Sequence, residues 1–163
     1  MTPFRMQDVF KTDPATFWQV FFDRAFNEHL YAKIGVKERT VSVQREDDRT
    51  ITRHMRVIPV RDLPAFMAKL IPGDFGYDEE VVLEKATGIM QVKARPTFGT
   101  RNELKGTIHL DPTGEGEISR IFEGIVKVEV PLVGGKIERI VLEDVVRSNT
   151  VTTAVTRSWL ART

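Results

Sequence analysis

The stretch Val130-Pro131-Leu132-Val133-Gly134-Gly135-Lys136-Ile137-Glu138 constrains the fold more than any other, because the period of the apolar pattern changes across it. Upstream, Ile118, Phe122, Val126, Val128 and Val130 share the two-residue parity of a half-buried strand. Downstream, Ile137, Val141, Val145 or Ser148, Val151 or Thr152, Val155 and Trp159 recur at three- and four-residue steps, the spacing of a helix. A strand over 117–130 is therefore expected to hand over to one closing helix over 135–160. Pro131 lacks an N–H and is expected to end the sheet ladder, while Gly134 and Gly135 let the chain turn and bring the helix close to the sheet.

The rest of the chain supplies that sheet. Phe4, Met6 and Phe10 alternate with polar residues as in an edge-type first strand, and Thr12-Asp13-Pro14 offers an N-cap followed by proline at the first helical position. A helix carrying Phe17, Trp18, Phe21 and Phe22 should start there. A second, with Phe26, Leu30 and Tyr31, should end at Gly35. Further strands are expected at 36–46, 50–58, 79–85, 88–95 and 103–111, with a short helix at 62–70 capped by Asp62. A sheet with apolar residues mainly on one face must cover that face, and the closing helix can do so.

The chain of 163 residues is read as a single domain, 1–163, able to bury one core. Its 24 basic and 23 acidic residues leave a formal net charge of +1, so no overall field recruits nucleic acid. The absence of cysteine excludes disulfides, thiolate metal sites and cysteine nucleophiles. No signal-peptide pattern or membrane-length apolar run is read, so the expectation is a soluble, cytoplasmic protein.

In element order and over essentially its full length, the chain resembles the START-like, or SRPBCC, superfamily. The resemblance implies an α+β helix-grip (START/Bet v 1-like) fold: a curved antiparallel sheet of about seven strands around a long C-terminal helix, with two short helices after strand 1. The segment from Pro131 to Glu138 is similar to the corresponding junction in the bacterial DUF2505 family, and Thr12 to Trp18 resembles the superfamily's opening helix. The resemblance further implies a deep cavity between sheet and closing helix, which relatives use to hold sterols, phospholipids, aromatic polyketides or plant hormones.

The residues themselves suggest where polarity enters such a cavity. Arg120 shares strand parity with Ile118, Phe122 and Val126, Arg53 with Ile51, Met55 and Val57, and Asp8 with Met6 and Phe10. A charge facing an apolar interior needs a partner, so Asp8 is expected to pair with Arg120, leaving Arg53 for an anionic or carbonyl-bearing ligand group. The alternative places both arginines at strand ends with their stems snorkelling past the core. On the closing helix, Asp144 and Ser148 interrupt an otherwise apolar stripe of Ile137, Val141, Val151, Val155 and Trp159. They form a polar spot in the cavity, or face solvent if the helix is rotated. The expected ligand-binding set is Arg53, Met55, Met90, Arg120, Phe122, Val141, Asp144, Ser148 and Val151. Met6, Met55, Met67 and Met90 would let the walls adapt.

Phe17, Trp18, Phe21, Phe22 and Phe26 read either as packing for two short helices or as a gate or membrane-docking patch, which would add a transient membrane contact. Phe66, Met67, Leu70, Ile71 and Phe75, with breaks at Pro72-Gly73 and Gly76, read as a lid. Catalytic signals are thin. His29, His54 and His109 lie apart in sequence, the acidic runs Glu46-Asp47-Asp48 and Asp78-Glu79-Glu80 read as solvated turns, and no phosphate or dinucleotide fingerprint occurs. No catalytic residue, metal or cofactor is expected. The favoured function is binding or carriage of a hydrophobic small molecule, lipids among the candidates. The alternatives are a cyclase- or hydratase-type enzyme using Asp144 or Asp8, and a protein-interaction module with a filled core.

Overall fold

The computed structural model describes residues 1–162. Strand β1 (Thr2–Phe10) leads into helices α1 (Pro14–Phe22) and α2 (Arg24–Ile34). Strands β2 (Val36–Glu46) and β3 (Thr50–Pro59), the short helix α3 (Ala65–Leu70), then β4 (Tyr77–Glu84), β5 (Ile89–Pro96), β6 (Glu103–Gly114) and β7 (Glu117–Lys127) follow. Helix α4 (Gly134–Leu160) closes the chain. The strands form one antiparallel sheet in the order β1-β7-β6-β5-β4-β3-β2, so the meander from β2 to β7 is completed by β1 beside β7. Helix α4 packs on β1, β7 and α2 across the inner face, which is the helix-grip arrangement expected of the sequence.

Local chemistry explains most boundaries. Asp13 caps α1 by accepting from the Thr16 amide at 2.9 Å, with Pro14 at the first helical position. Asp23 ends α1 and caps α2, accepting from the Phe26 amide at 2.8 Å, and Gly35 at φ 86° terminates α2. Helix α3, in contrast, begins at Ala65 after Pro64 with no side-chain cap, so Asp62 does not cap it.

The strand-to-helix junction works differently from the sequence expectation. The ladder of β7 stops at Lys127, four residues before Pro131. It stops because two side chains take over the next backbone donors: Glu138 Oε1 accepts from the Val128 amide at 2.9 Å, and Asn102 Oδ1 accepts from the Glu129 amide at 2.8 Å. Gly134 then lets α4 start against β7, since a Cβ there would lie 2.5 Å from the Val128 carbonyl oxygen.

One main core fills the space between sheet and helices, with Met67, Met90, Ile137, Ile118 and Val126 almost fully buried. Val20, Phe26 and Leu30 form a smaller cluster under Val155 and Trp159 of α4.

Candidate ligand-binding cavity

The core is not solid. Between the inner face of the sheet, α1, α2 and α4 lies a cavity of about 250 Å³. Its floor is built from inward-facing strand residues, Val57, Val81, Val92, Ile108, Phe122 and Val126, and its roof from Val141, Val145, Thr152 and Thr156 of α4. Alternation explains the floor, because every second residue of each strand points to the same face. Four arginines, Arg53, Arg61, Arg120 and Arg147, interrupt the apolar walls, each with an anionic partner.

Arg120 stands in register with Asp8 on the neighbouring strand. Its Nη2 donates to Asp8 Oδ2 at 2.8 Å, to Asn149 Oδ1 at 2.7 Å and to Thr153 Oγ1 at 2.8 Å, while Asn149 Nδ2 also donates to Asp8 at 3.1 Å. The network joins β1, β7 and α4. Burial alone would raise the Asp8 carboxyl, but hydrogen bonds from Asn149 and Arg120 and the arginine's charge overcome it and hold the group below its ordinary value. Burial lowers the Arg120 guanidinium, against the opposing pull of Asp8. The expected Asp8–Arg120 pair is present, and Arg120 does not snorkel from a strand end: its side chain is only 6% exposed.

Arg53 is buried as well, with 3% of its side chain exposed, but its surroundings differ. Nη1 donates to Asn27 Oδ1 and Nη2 to Glu79 Oε1, both at 3.3 Å, and the guanidinium lies 5.0 Å from the Phe21 ring centroid and 5.8 Å from that of Phe22. Tyr31 and Tyr77 line the cavity with it. Burial pushes the Tyr31 phenol up to about 12, and Tyr77 is raised well above its ordinary value for the same reason.

At the third position Arg61, which follows β3, pairs with Asp144 of α4 and lies over the Phe75 ring, 4.8 Å from its centroid. Arg147 reaches the same carboxylate at 3.2 Å. Asp144 and Ser148 therefore line the cavity wall and are not turned to bulk solvent.

Of the residues expected from the sequence, Arg53, Met90, Arg120, Phe122, Val141, Asp144 and Ser148 line the cavity. Met55 and Val151 do not. Met55 is buried in β3 away from the void, and Met6 and Met67 are also outside the lining, so Met90 alone of the four proposed adaptable methionines faces it. Val151 is displaced because a straight helix turns through 3.6 residues, not 3.5, so the face that starts at Val141 and Ser148 continues through Thr152 and Thr156.

The aromatic cluster is packing. Phe17, Trp18 and Phe26 are buried, with edge contacts running from Phe17 to Trp18, Phe21 and Phe22. Phe21 faces the cavity. Met67 and Ile71 of the expected lid belong to the core, and Phe75 lines the cavity while packing on Phe98.

Sequence reasoning misses several polar partners of the wall arginines. Glu79 sits in a run that reads as a solvated acidic turn, yet it has the parity of Tyr77, Val81 and Leu83 and faces inward. Asn149 and Thr153 have a visible signal in Ser148-Asn149-Thr150-Val151-Thr152-Thr153, a run of weak helix formers inside a 27-residue helix. Among the described residues no group of three or more His, Cys, Asp or Glu side chains could hold a metal ion. His29 packs on Trp159, His54 pairs with Glu80, and His109 stands 3.8 Å from Asp111. No helix among the described residues is long and apolar enough to cross a membrane.

The family model described as "Protein of unknown function (DUF2505)" matches residues 5–160. No curated protein matches the sequence. Among solved structures, TTHA0849 from Thermus thermophilus superposes with a TM-score of 0.67 at 14% identity, covering 96% of this chain and 95% of that one. The Zhui aromatase/cyclase from Streptomyces sp. R1128 gives 0.63 at 9% identity, covering 99% and 94%. Ara h 8.0201 gives 0.62 at 11% identity, covering 99% of both chains. At these identities the likeness is one of fold.

Proposed function

The chain belongs to the DUF2505 family, and we propose that it binds or carries a hydrophobic small molecule in the cavity between its sheet and α4. The observation that carries this reading is the void itself: about 250 Å³ lined by mainly apolar side chains in a fold whose core would otherwise close. An apolar cavity of about 150 Å³ accepts benzene. The larger space here suits a ligand of about two fused rings or a short acyl chain, which narrows a lipid ligand to a single chain or ring skeleton. Burial of such a ligand contributes about 25 cal/mol for each Å² of apolar surface removed from water. The polar wall groups then select among ligands of that size.

Two other readings fit less well. The void counts against an interaction module with a filled core. An enzyme using Asp8 or Asp144 is not favoured by the arrangement, since both carboxylates are engaged by arginines and Asp8 is held in its ionised form.

The reading is tested by native mass spectrometry of the purified protein, followed by organic extraction, alongside titration with the neutral fluorophore N-phenyl-1-naphthylamine. A low-mass adduct lost on denaturation, or saturable fluorescence enhancement at equimolar probe, is expected. A protein that carries no extractable molecule and leaves the probe dark would overturn it.

A further inference from the structure

Two buried guanidinium groups of β-strands reach the cavity, and they are not equivalent. The Nε of each is buried without a partner, so the difference lies in the terminal nitrogens. Arg120 is held there by three short bonds of 2.7–2.8 Å in a network whose carboxylate is itself locked by Asn149. Turning it toward a ligand would dismantle the contact between β1, β7 and α4. Arg53 is held loosely, by two contacts at 3.3 Å, the long end of the hydrogen-bond range. The rings of Phe21 and Phe22 lie beside the guanidinium and restrict its plane.

The surroundings of Arg53 are short of negative charge. Arg39 lies over the Tyr31 ring, 4.6 Å from its centroid, and its Nε is also buried without a partner. Arg39 and Arg53 thus face one carboxylate, Glu79, leaving one positive unit in excess. Tyr77 also lines the cavity, near enough to Arg53 and Glu79 for their charges to act on its phenol. A single carboxylate would use the loosely held N–H groups of Arg53, accept from Tyr77 and restore neutrality; a dianion or a cation would not.

Building on the binding reading above, we infer that Arg53 anchors the acidic head of the ligand and that the cavity selects apolar monocarboxylic acids over their neutral counterparts. Glu79 and the ligand carboxylate share the two guanidinium groups, so Glu79 limits affinity.

The test titrates 2-naphthoic acid and its methyl ester by calorimetry at pH 7. The wild-type protein should bind the acid at least about tenfold more tightly than the ester, as a charge-assisted pair requires. Arg53→Met should abolish that preference, bringing the ratio of acid to ester affinity to about one. Glu79→Gln, which removes the competing carboxylate, should tighten the acid by at least about threefold relative to the ester. This second variant decides the matter if circular dichroism shows Arg53→Met to be unfolded. Equal affinity for acid and ester, a preference that survives Arg53→Met, or a Glu79→Gln variant with unchanged or weaker acid binding relative to the ester overturns the inference. If N-phenyl-1-naphthylamine is bound but neither naphthoate is, the anchor alone falls; if none of the three is bound, the binding reading falls with it.

Discussion

A charged side chain inside this protein behaves according to how tightly its partners hold it. Arg120 and Asp8 grip each other through short bonds, so removing one strands the other among buried groups. Arg120→Met is expected to lower the free energy of unfolding by about 3 kcal/mol, measured by urea denaturation, because an uncompensated charge remains. A variant of wild-type stability would show that the network is dispensable. Asp8 also makes stability depend on pH. Its folded pKa lies below the unfolded value near 3.8, so its contribution is complete above that pH and is lost as pH falls through the folded value. The stability difference between wild type and Asp8→Asn should therefore be largest near neutrality and shrink as the pH falls below about 4; a difference independent of pH would assign it to packing. Strand parity alone locates Arg120, Asp8 and Arg53. The same parity points Glu79 inward, but its two acidic neighbours give the run the look of a solvated turn.

The helices show how far sequence signals carry at the next scale. Asp13 is readable as a cap because Pro14 follows it, whereas Asp62 has the same residue type in a place where Pro64 delays the helix to Ala65. Asp13→Ala is expected to lower the urea midpoint and Asp62→Ala to leave it unchanged. Equal effects would contradict the capping assignment. On α4 the apolar stripe is legible and its rotation is not, since a heptad and a 3.6-residue repeat agree at Val141 and Ser148 and part at Val151. Val141→Phe should fill the cavity and weaken N-phenyl-1-naphthylamine binding by about tenfold, while Val151→Phe changes it by less than about twofold. The reverse order would place the helix in the other phase.

For the whole molecule, the void depends on a sheet that bends around α4. Gly106 and Gly124 are register partners on β6 and β7, and a Cβ on Gly106 would lie 2.6 Å from the Glu123 carbonyl oxygen. One on Gly124 would overlap the Lys105 carbonyl. Gly124→Ala must push the two strands apart at this pair, and a loss of about 3 kcal/mol in urea unfolding is expected. Wild-type stability would mean that the backbone yields without cost.

Element order, the inward parity of most strand residues and the presence of a closing helix are legible in the chain alone, because these follow from local period, capping chemistry and the need to cover one apolar face. So is the Asp8–Arg120 pair, since a buried charge must be matched. Which arginine is locked by short bonds and which is held loosely beside the cavity emerges only once the chain is folded. That depends on Asn27, Glu79, Asn149 and Thr153, which come from α2, β4 and α4. Their distances are set by sheet curvature and helix rotation, quantities that no run of neighbouring residues encodes.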